Sequence, residues 1–205
     1  MIFIISCLFT VYFEESFNSP DISQWKNQHS SNYTISECSA SHPDLIRNCL
    51  FVSNPNEKLT LTSELSKEAE KLPLLIYFTT RSSLPTTDSK ISLSVFSNSK
   101  KTFSVGYNFN SHAEYYLNDA DDKVLCNGTI NHESFLTHSI TMIFRNEKTY
   151  ELYADGLILG NGEITNIFPI TSIELNVETK NNTVQVGNIL ITSTIKQKWP
   201  VLIST

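Results

Sequence analysis

The sequence predicts an all-β protein, an antiparallel sandwich of two sheets, and three observations lead to this prediction. Short runs rich in Val, Ile, Tyr and Phe recur between turn residues, and several alternate apolar and polar residues at period two. That alternation is typical of strands with one buried face. Ser, Thr and Asn are plentiful, whereas only 6 glycines occur among 205 residues. Strands at such short, regular spacing favour a two-sheet sandwich.

The N-terminus, MIFIISCLFTVYFEE, is apolar from Ile2 to Phe13 and carries no charge before Glu14. An apolar run of this length is too short to span a bilayer comfortably, but it fits the hydrophobic region of a secretory signal. We therefore predict a signal peptide over residues 1–11, with cleavage near Thr10 or Val11. The alternative is a buried first strand, and the usual basic residue before the apolar run is missing.

Residues 12–71 hold several short strands, expected in FEESF, NYTIS, CLFV and KLTLTSEL. LSKEAEKL, over residues 65–72, has helical propensity, and we expect a single helical turn or a linker there. We place a boundary after Lys71, just before Pro73. Residues 12–71 are thus N-terminal strands or an extension of the sandwich.

Residues 72–196 carry the regular strand signals of the main sandwich. Asp155-Gly156 predicts a hairpin turn, and a slip in apolar parity at Gly187-Asn188 predicts a β-bulge. Residues 197–205 are expected to pack as a tail. Strands are expected in LLIYFTTR, ISLSVF, FSVGYNFN, VLCNG, SITMIFR, NEKTYELYADGLIL, SIELNVE and VQVGNILIT.

The cysteines agree with secretion. Cys7 would leave with the signal, and Cys38 and Cys49 flank a short loop that a disulfide would close in an oxidising compartment. Cys126 is expected to be a buried thiol in its strand, because no neighbouring base or cation would activate it. N-x-T glycosylation sites begin at Asn32, Asn127 and Asn181.

A polar row follows one predicted strand. Phe103, Val105, Tyr107 and Phe109 fall on the side that is expected to be buried. The opposite side carries polar or small residues, namely Ser104, Gly106, Asn108, Asn110 and His112. Such a row binds a ligand through hydrogen bonds or is simply the solvated face of a sandwich.

The order ISLSVF, YNFNSH, VLCNG, INHES, LYADG and SIELNVE–VGNILIT resembles that of a galectin-type carbohydrate-recognition domain, a jelly-roll sandwich of the concanavalin-like kind. The likeness runs from residue 72 to about residue 194 and rests on strand order more than on motif identity. It implies carbohydrate binding by Asn108, Asn110, His112, Asn127 and Glu133. The opening stretch VYFEESFNSPDISQW also looks like the first strand of calreticulin-type lectins and laminin-G-like modules.

The sugar-binding motif departs from the family pattern. The stacking Trp, the histidine and both arginines of galectins are absent, and galectins normally lack signal peptides and disulfides. Tyr115 and Tyr116 are candidates for the missing aromatic surface, although such residues also cap sheet edges. A site with these amides and no aromatic platform would bind galactosides weakly or not at all.

Other classes of function find less support. A net charge of -6 and a pI near 5.3 disfavour nucleic acid, and no basic cluster favours anionic lipid. Glu174 and Glu178 flank Asn176 on one strand face, but the Glu-x-Asp-x-Glu strand of glycosidases on this superfold is not present. The acidic loop Asn118–Asp122 offers oxygen ligands to calcium without the spacing of an EF-hand. No cofactor, resident metal or catalysis is predicted.

The sequence therefore predicts a secreted or lumenal, non-catalytic sandwich that binds glycans or glycoproteins. The alternative is a protein-interaction or structural module that kept the sandwich and lost the sugar site. The oligomeric state is not predicted.

Overall fold

The computed structural model describes residues 10–17, 22–27, 33–38, 48–53, 56–83, 88–130 and 136–193. Within these ranges the chain forms strands and turns and no helix, and so no apolar helix of membrane-spanning length. The strands are β1 (Thr10–Glu15), β2 (Lys26–Asn27), β3 (Tyr33–Glu37), β4 (Asn48–Val52), β5 (Lys58–Ala69), β6 (Leu74–Ser82), β7 (Ser89–Ser97), β8 (Lys100–Phe109), β9 (Ala113–Asp119), β10 (Val124–Ile130), β11 (His138–Phe144), β12 (Thr149–Ala154), β13 (Leu157–Glu163), β14 (Ile170–Glu178) and β15 (Val184–Ser193).

The strands form two antiparallel sheets packed as a sandwich, which confirms the predicted fold class. The eight-stranded sheet has the order β13-β12-β11-β6-β15-β4-β3, with β1 paired to β15. The seven-stranded sheet has the order β10-β9-β8-β7-β14-β5-β2. Strands that are distant in sequence are therefore neighbours in both sheets, and a large share of the fold depends on long-range pairing.

One apolar core lies between the sheets. Phe103, Val105, Tyr107 and Phe109 of β8 are fully buried, as the period-two pattern predicts. Phe103 meets Phe144 of the opposite sheet with ring centroids 5.8 Å apart. Burial of large side chains of this kind contributes roughly 1.5–3 kcal/mol each, so β8 is a major anchor of the seven-stranded sheet.

The strands before residue 72 belong to both sheets. β1, β3 and β4 join the eight-stranded sheet, and β2 and β5 join the other. The helical turn or linker expected over residues 65–72 is wrong, because β5 continues as a strand to Ala69. Ala69 pairs with Ile170 and Leu65 is buried, so pairing and burial override local helix propensity.

Two local predictions are confirmed. Asp155 and Gly156 form the turn between β12 and β13 with φ values of 50° and 78°, the left-handed region that Gly adopts without strain. The register between β15 and β6 shifts between Val186 and Ile189, at the predicted Gly187-Asn188 bulge.

The predicted disulfide is also present. Cys38 and Cys49 are bonded with their Cα atoms 5.2 Å apart, and the bond closes the β3–β4 hairpin. Cys126 is a half-buried free thiol whose pKa is raised by burial. Cys7 lies outside the described residues.

Part of the predicted signal peptide overlaps a strand. Thr10 and Val11 begin β1 and pair with Ser193 and Thr192 of β15. Residues 1–9 and the tail over residues 197–205 lie outside the described residues.

Candidate functional site

The outer face of the seven-stranded sheet carries a row of uncharged residues that runs across six strands. Directly paired residues point to the same face of a sheet, so the strand register identifies the members of the row. Consecutive pairs join β10, β9, β8, β7, β14 and β5. We call this set the neutral row; it consists of Asn127, Tyr116, Gly106, Ser92, Asn176 and Thr60.

A second row lies beside the neutral row and contains charges of both signs. Lys58 and Glu178 of this row form an ion pair with a distance of 3.2 Å between Nζ and Oε1. We call this set the charged row; it consists of Thr129, Glu114, Asn108, Lys90, Glu178 and Lys58. The two rows together give the face both hydrogen-bond donors and acceptors.

A cleft of about 430 Å³ opens where the two rows meet β8, β9 and β10. Its volume falls within the roughly 300–1,000 Å³ of pockets that bind small molecules. The lining contains amides, a hydroxyl, one cation, one carboxylate and aromatic rings. These residues are Lys90, Asn108, Glu114, Tyr115, Tyr116, Asn118, Val124, Asn127, Gly128 and Thr129.

Tyr116 is the aromatic residue of this cleft on the outer face. It pairs directly with Gly106, and its hydroxyl donates to the carbonyl oxygen of Ile91 on β7 at 3.4 Å. The ring therefore extends from β9 across Gly106, which has no side chain to obstruct it. Burial raises the pKa of Tyr116 to about 12, so the phenol is neutral at physiological pH.

Tyr115 has a different role. It alternates with Tyr116, so it points to the core side and is buried. It lies over Gly128 of β10, where a Cβ atom would come within 2.4 Å of the Tyr115 hydroxyl oxygen. Tyr115 therefore fixes β10 against β9 at the back of the cleft.

Asn118 has unused hydrogen-bonding capacity at the cleft. Its Oδ1 atom is buried and accepts no hydrogen bond within the described part of the chain. A buried acceptor without a partner costs roughly 1–3 kcal/mol, and that cost is recovered if a bound group or a water donates to the amide. The residue itself is only partly buried and lines the cleft.

The structure brings two of the sequence-predicted site residues together. Asn108 and Asn127 both line the cleft, from β8 and β10. Asn110 and His112 lie in the turn after β8, where the Oδ1 atom of Asn110 accepts the backbone N–H of His112 at 2.8 Å. Glu133 lies outside the described residues.

Eight of the ten cleft residues are not among the residues predicted for sugar binding, and four of the eight supply aromatic, charged or amide groups on the outer face. The sequence offers Tyr116 only as a candidate for the missing aromatic surface, and its alternation with buried neighbours is the signal that puts it on the outer face. Lys90 and Glu114 carry no local signal of a site, and Asn118 has one only as the first residue of the acidic loop considered for calcium. They reach the cleft because β7 and β9 flank β8, which only the sheet order reveals.

The carboxylates of β14 lie beside the cleft, because β14 pairs with β7 and Glu178 is the register partner of the cleft residue Lys90. Asn176 donates through Nδ2 to Oε1 of Glu174 at 2.7 Å and accepts the hydroxyl of Thr60 at 2.8 Å. Glu178 is paired with Lys58. Each polar group therefore has a partner on the sheet itself.

The acidic loop between β9 and β10 folds as a turn. Oδ1 of Asp119 accepts the backbone N–H groups of Asp121 and Lys123 at 3.0 and 2.9 Å, and Asp122 contacts Lys101. Across the described ranges, no three His, Cys, Asp or Glu side chains gather as they would around a metal ion.

Comparison with known proteins gives matches in structure only: no family model and no curated protein matches the chain by sequence. The globular domain of T. cruzi calreticulin superposes with a TM-score of 0.71 at 16% identity, covering 91% of this chain and 89% of that one. The Emp47p carbohydrate recognition domain superposes with a TM-score of 0.65 at 10% identity, covering 91% of this chain and 97% of that one. SCLam, a non-specific endo-β-1,3(4)-glucanase of family GH16, superposes with a TM-score of 0.58 at 9% identity, covering 90% of this chain and 91% of that one.

These likenesses establish the fold and nothing finer, because the same architecture hosts both binding and catalysis. The chain has the concanavalin-like sandwich fold.

Proposed function

We propose that this protein is a non-catalytic, glycan-binding β-sandwich whose binding site is the cleft at β8, β9 and β10. The observation that supports this most is that Tyr116, an aromatic residue on the outer face, lines the same cleft as the amides of Asn108, Asn118 and Asn127. Sugars combine apolar C–H patches with dense hydroxyls, so an aromatic surface beside amides matches their chemistry.

The polar groups of the cleft suit a neutral saccharide. Amides of Asn donate and accept, the carboxylate of Glu114 accepts, and the ammonium of Lys90 donates. Glu114 and Lys90 are on opposite sides of Asn108 in the charged row. Adjacent strands are about 4.8 Å apart, so roughly 10 Å separates the strands that carry the two charges, with Asn108 between them.

The predicted residues outside the cleft belong to the same proposal. We include Asn110 and His112, in the turn after β8, as contacts to a ligand that extends beyond the cleft, and Glu133 as a further contact. The galectin-type relationship is the finer part of the proposal. The carbohydrate recognition domain of Emp47p, which has the same fold, supports glycan binding in general.

The environment that we propose is the secretory pathway or the cell exterior. The Cys38–Cys49 disulfide supports an oxidising compartment. The leader peptide predicted over residues 1–11 and the acceptor sites at Asn127, Asn181 and Asn32, the last of which lies outside the described residues, agree with this placement. Glycans or glycoproteins are the proposed partners.

The carboxylates of β14 support a function without catalysis. Glu174 and Glu178 flank Asn176 on one strand face, so an amide stands here where the Glu-x-Asp-x-Glu strand of glycosidases has a carboxylate. Glycosidases need two carboxyl groups held toward the substrate, one as general acid and one as nucleophile or base. Here Glu174 accepts from Asn176 and Glu178 pairs with Lys58, so neither side chain is held toward the other.

The alternative proposal is a protein-interaction or structural module without a sugar site. A printed array of neutral and acidic oligosaccharides, probed with protein made without N-glycosylation, separates the two. We expect the protein to bind a glycan on the array, and we expect Asn108→Ala to reduce the affinity by about tenfold, which corresponds to roughly 1.4 kcal/mol of binding free energy. Asn161→Ala on β13, exposed and outside the cleft, is the matched control.

Folded protein that binds no glycan on the array would refute the lectin function and leave the interaction module. Binding that Asn161→Ala reduces as much as Asn108→Ala would refute the location of the site.

A further inference from the structure

One acceptor site for N-glycosylation lies in the cleft itself. Asn127 and Thr129 are two residues apart on β10, so both side chains point to the outer face. Both are exposed and both line the cleft, beside Tyr116 and Glu114. Gly128, between them, faces Tyr115 and the core.

We propose that Asn127 is N-glycosylated and that its own glycan occupies the cleft and closes it to external saccharides. This inference rests on the proposed function. It adds a modification that decides whether the binding site is open, and it makes the unmodified chain the binding form.

The covalent step uses a lipid-diphosphate oligosaccharide as the glycosyl donor. A bond forms between Nδ2 of Asn127 and C1 of the first sugar, while the bond from C1 to the phosphate oxygen breaks. The amide loses one proton and the lipid diphosphate leaves. Because Nδ2 belongs to a residue of the cleft wall, the first sugar of the glycan begins at the cleft.

The surroundings of Asn127 are suited to holding that glycan. Asn127 pairs with Tyr116, so the glycan begins beside β9 and would reach the Tyr116 ring by extending across β9 toward β8. β10 is the edge strand of the sheet, and Asn127 is therefore open to solvent on the side away from β9. The glycan has room to leave the cleft at this edge while its first sugars remain inside.

The acceptor site at Asn181 provides an internal comparison. Asn181 is exposed in the turn between β14 and β15 and is not among the cleft residues. The backbone of Thr183 bonds with Ser83, and an alanine at position 183 keeps those backbone bonds. Thr183→Ala therefore removes a glycan elsewhere on the surface.

The test compares full-length protein secreted from N-glycosylating cells with protein made in the bacterial periplasm, which supplies a disulfide but no such glycan. Mass spectrometry measures occupancy at Asn127 and Asn181, and the array of neutral oligosaccharides measures binding. We expect glycosylated protein to bind at least about tenfold more weakly than unmodified protein. Thr129→Ala made in the two sources should bind equally because it lacks the acceptor motif, whereas Thr129→Ser, which keeps the motif, and Thr183→Ala should retain the difference between the sources.

A second measurement does not depend on the ligand. Lys90 is exposed in the cleft and Lys148 is exposed outside it, and an amine-acetylating reagent modifies both. Glycan at Asn127 should slow acetylation of Lys90 relative to Lys148, and Thr129→Ala should abolish that protection.

An unmodified Asn127 in protein that is glycosylated at Asn181 would overturn the inference. Equal binding by the modified and unmodified forms, or equal acetylation of Lys90 in both, would also overturn it while leaving the proposed function intact. If periplasmic protein binds no glycan, the proposed function fails and the inference fails with it.

Discussion

The hydroxyl of Tyr116 on β9 donates to the backbone carbonyl of Ile91 on β7 at 3.4 Å, across the strand that lies between them. That strand contributes Gly106 at the crossing, and Gly106 pairs with Tyr116 on one side and Ser92 on the other. The ring is therefore held at both ends, by its own strand and by the bond to β7. Little side-chain freedom remains to be lost when a ligand packs on it.

Removing the Tyr116 ring should weaken glycan binding more than removing its hydroxyl. Tyr116→Ala loses the aromatic surface, worth roughly 0.5–1.5 kcal/mol, and we expect about a tenfold loss of affinity. Tyr116→Phe keeps the ring, and its affinity should be within about threefold of that of the protein without the substitution. Titration calorimetry with a glycan identified on the array measures both.

The control is Tyr153→Ala, which removes a half-buried tyrosine on the outer face of the eight-stranded sheet. It should leave the affinity unchanged. Equal affinities for Tyr116→Ala and Tyr116→Phe would show that the ring does not contact the sugar.

Gly106 should tolerate no side chain. A Cβ atom there would lie 2.0 Å from the carbonyl oxygen of Ile91, and backbone atoms of Ser92 are close as well. Because the obstructing atoms belong to the backbone of β7, Gly106→Ala must displace that strand. We expect a loss of about 2–3 kcal/mol in the free energy of unfolding, measured by urea denaturation.

Gly160→Ala is the matched control for this substitution. Its Cβ would meet only the sulfur of Cys126 at 3.2 Å, a side chain that has some freedom to move. Gly160→Ala should lower the free energy of unfolding much less than Gly106→Ala does. Equal losses for the two variants would show that contact with the β7 backbone is not the cause of the destabilisation.

The fold was predictable where local chemistry and tertiary structure agree. The Asp155-Gly156 turn, the bulge at Gly187-Asn188 and the alternation of β8 are each visible in the sequence and present in the structure. The end of β5 was not predictable in this way. Residues 65–69 favour a helix locally, but pairing with β14 and burial of Leu65 and Ala69 make them a strand.

The candidate site was predictable only in part, for a related reason. Period-two alternation within β8 correctly predicts that Asn108 is on the outer face. The same alternation cannot be applied to Asn110 and His112, because β8 ends at Phe109. Lys90 and Glu114 come from different strands and reach Asn108 only through the sheet order. A single sequence read strand by strand does not contain that order.

Alkaline pH should destabilise the protein through its buried tyrosines. Burial raises the pKa of Tyr116 and of Tyr77 to about 12, from an ordinary value of 10.0. The folded state therefore holds these protons more tightly than the unfolded state. Their contribution to stability is fully present below pH 10 and is lost as the pH rises toward 12.

Urea denaturation at a series of pH values measures this decline. Tyr116→Phe should make it shallower, because one of the titrating groups is removed. Tyr153→Phe is the control, since the pKa of Tyr153 is raised mainly by slight burial and the group stays partly exposed. A decline that is unchanged in Tyr116→Phe would contradict this assignment.

The disulfide should stabilise the β3–β4 hairpin by limiting the unfolded chain. Cys38 and Cys49 are 11 residues apart in sequence, and closing a loop of this size is worth about 2–3 kcal/mol. The double variant Cys38→Ser, Cys49→Ser should lose that amount in urea denaturation. Cys126→Ser changes a thiol that is not bonded to another cysteine, and it should lose less free energy of unfolding than the double variant. Equal losses would show that the cross-link contributes little.

Glu15 should be essential to the start of the sandwich. Its buried carboxylate accepts the indole N–H of Trp25 at 2.9 Å, the backbone N–H of Phe17 at 2.7 Å and the side-chain amide of Gln24. Trp25 in turn packs edge-on against Phe13 of β1, with ring centroids 5.1 Å apart. One carboxylate thus joins β1 to the segment that leads into β2.

Glu15→Ala would leave two buried donors without their acceptor, and we expect a loss of about 3 kcal/mol in the free energy of unfolding. Glu15→Gln keeps one acceptor oxygen and should lose less. The control is Glu14→Ala, because Glu14 is exposed and its backbone carbonyl, which accepts from Gln24, is unaffected. Urea denaturation followed by tryptophan fluorescence measures all three, and equal stability of Glu15→Ala and Glu14→Ala would show that these hydrogen bonds do not hold the N-terminal strands in the fold.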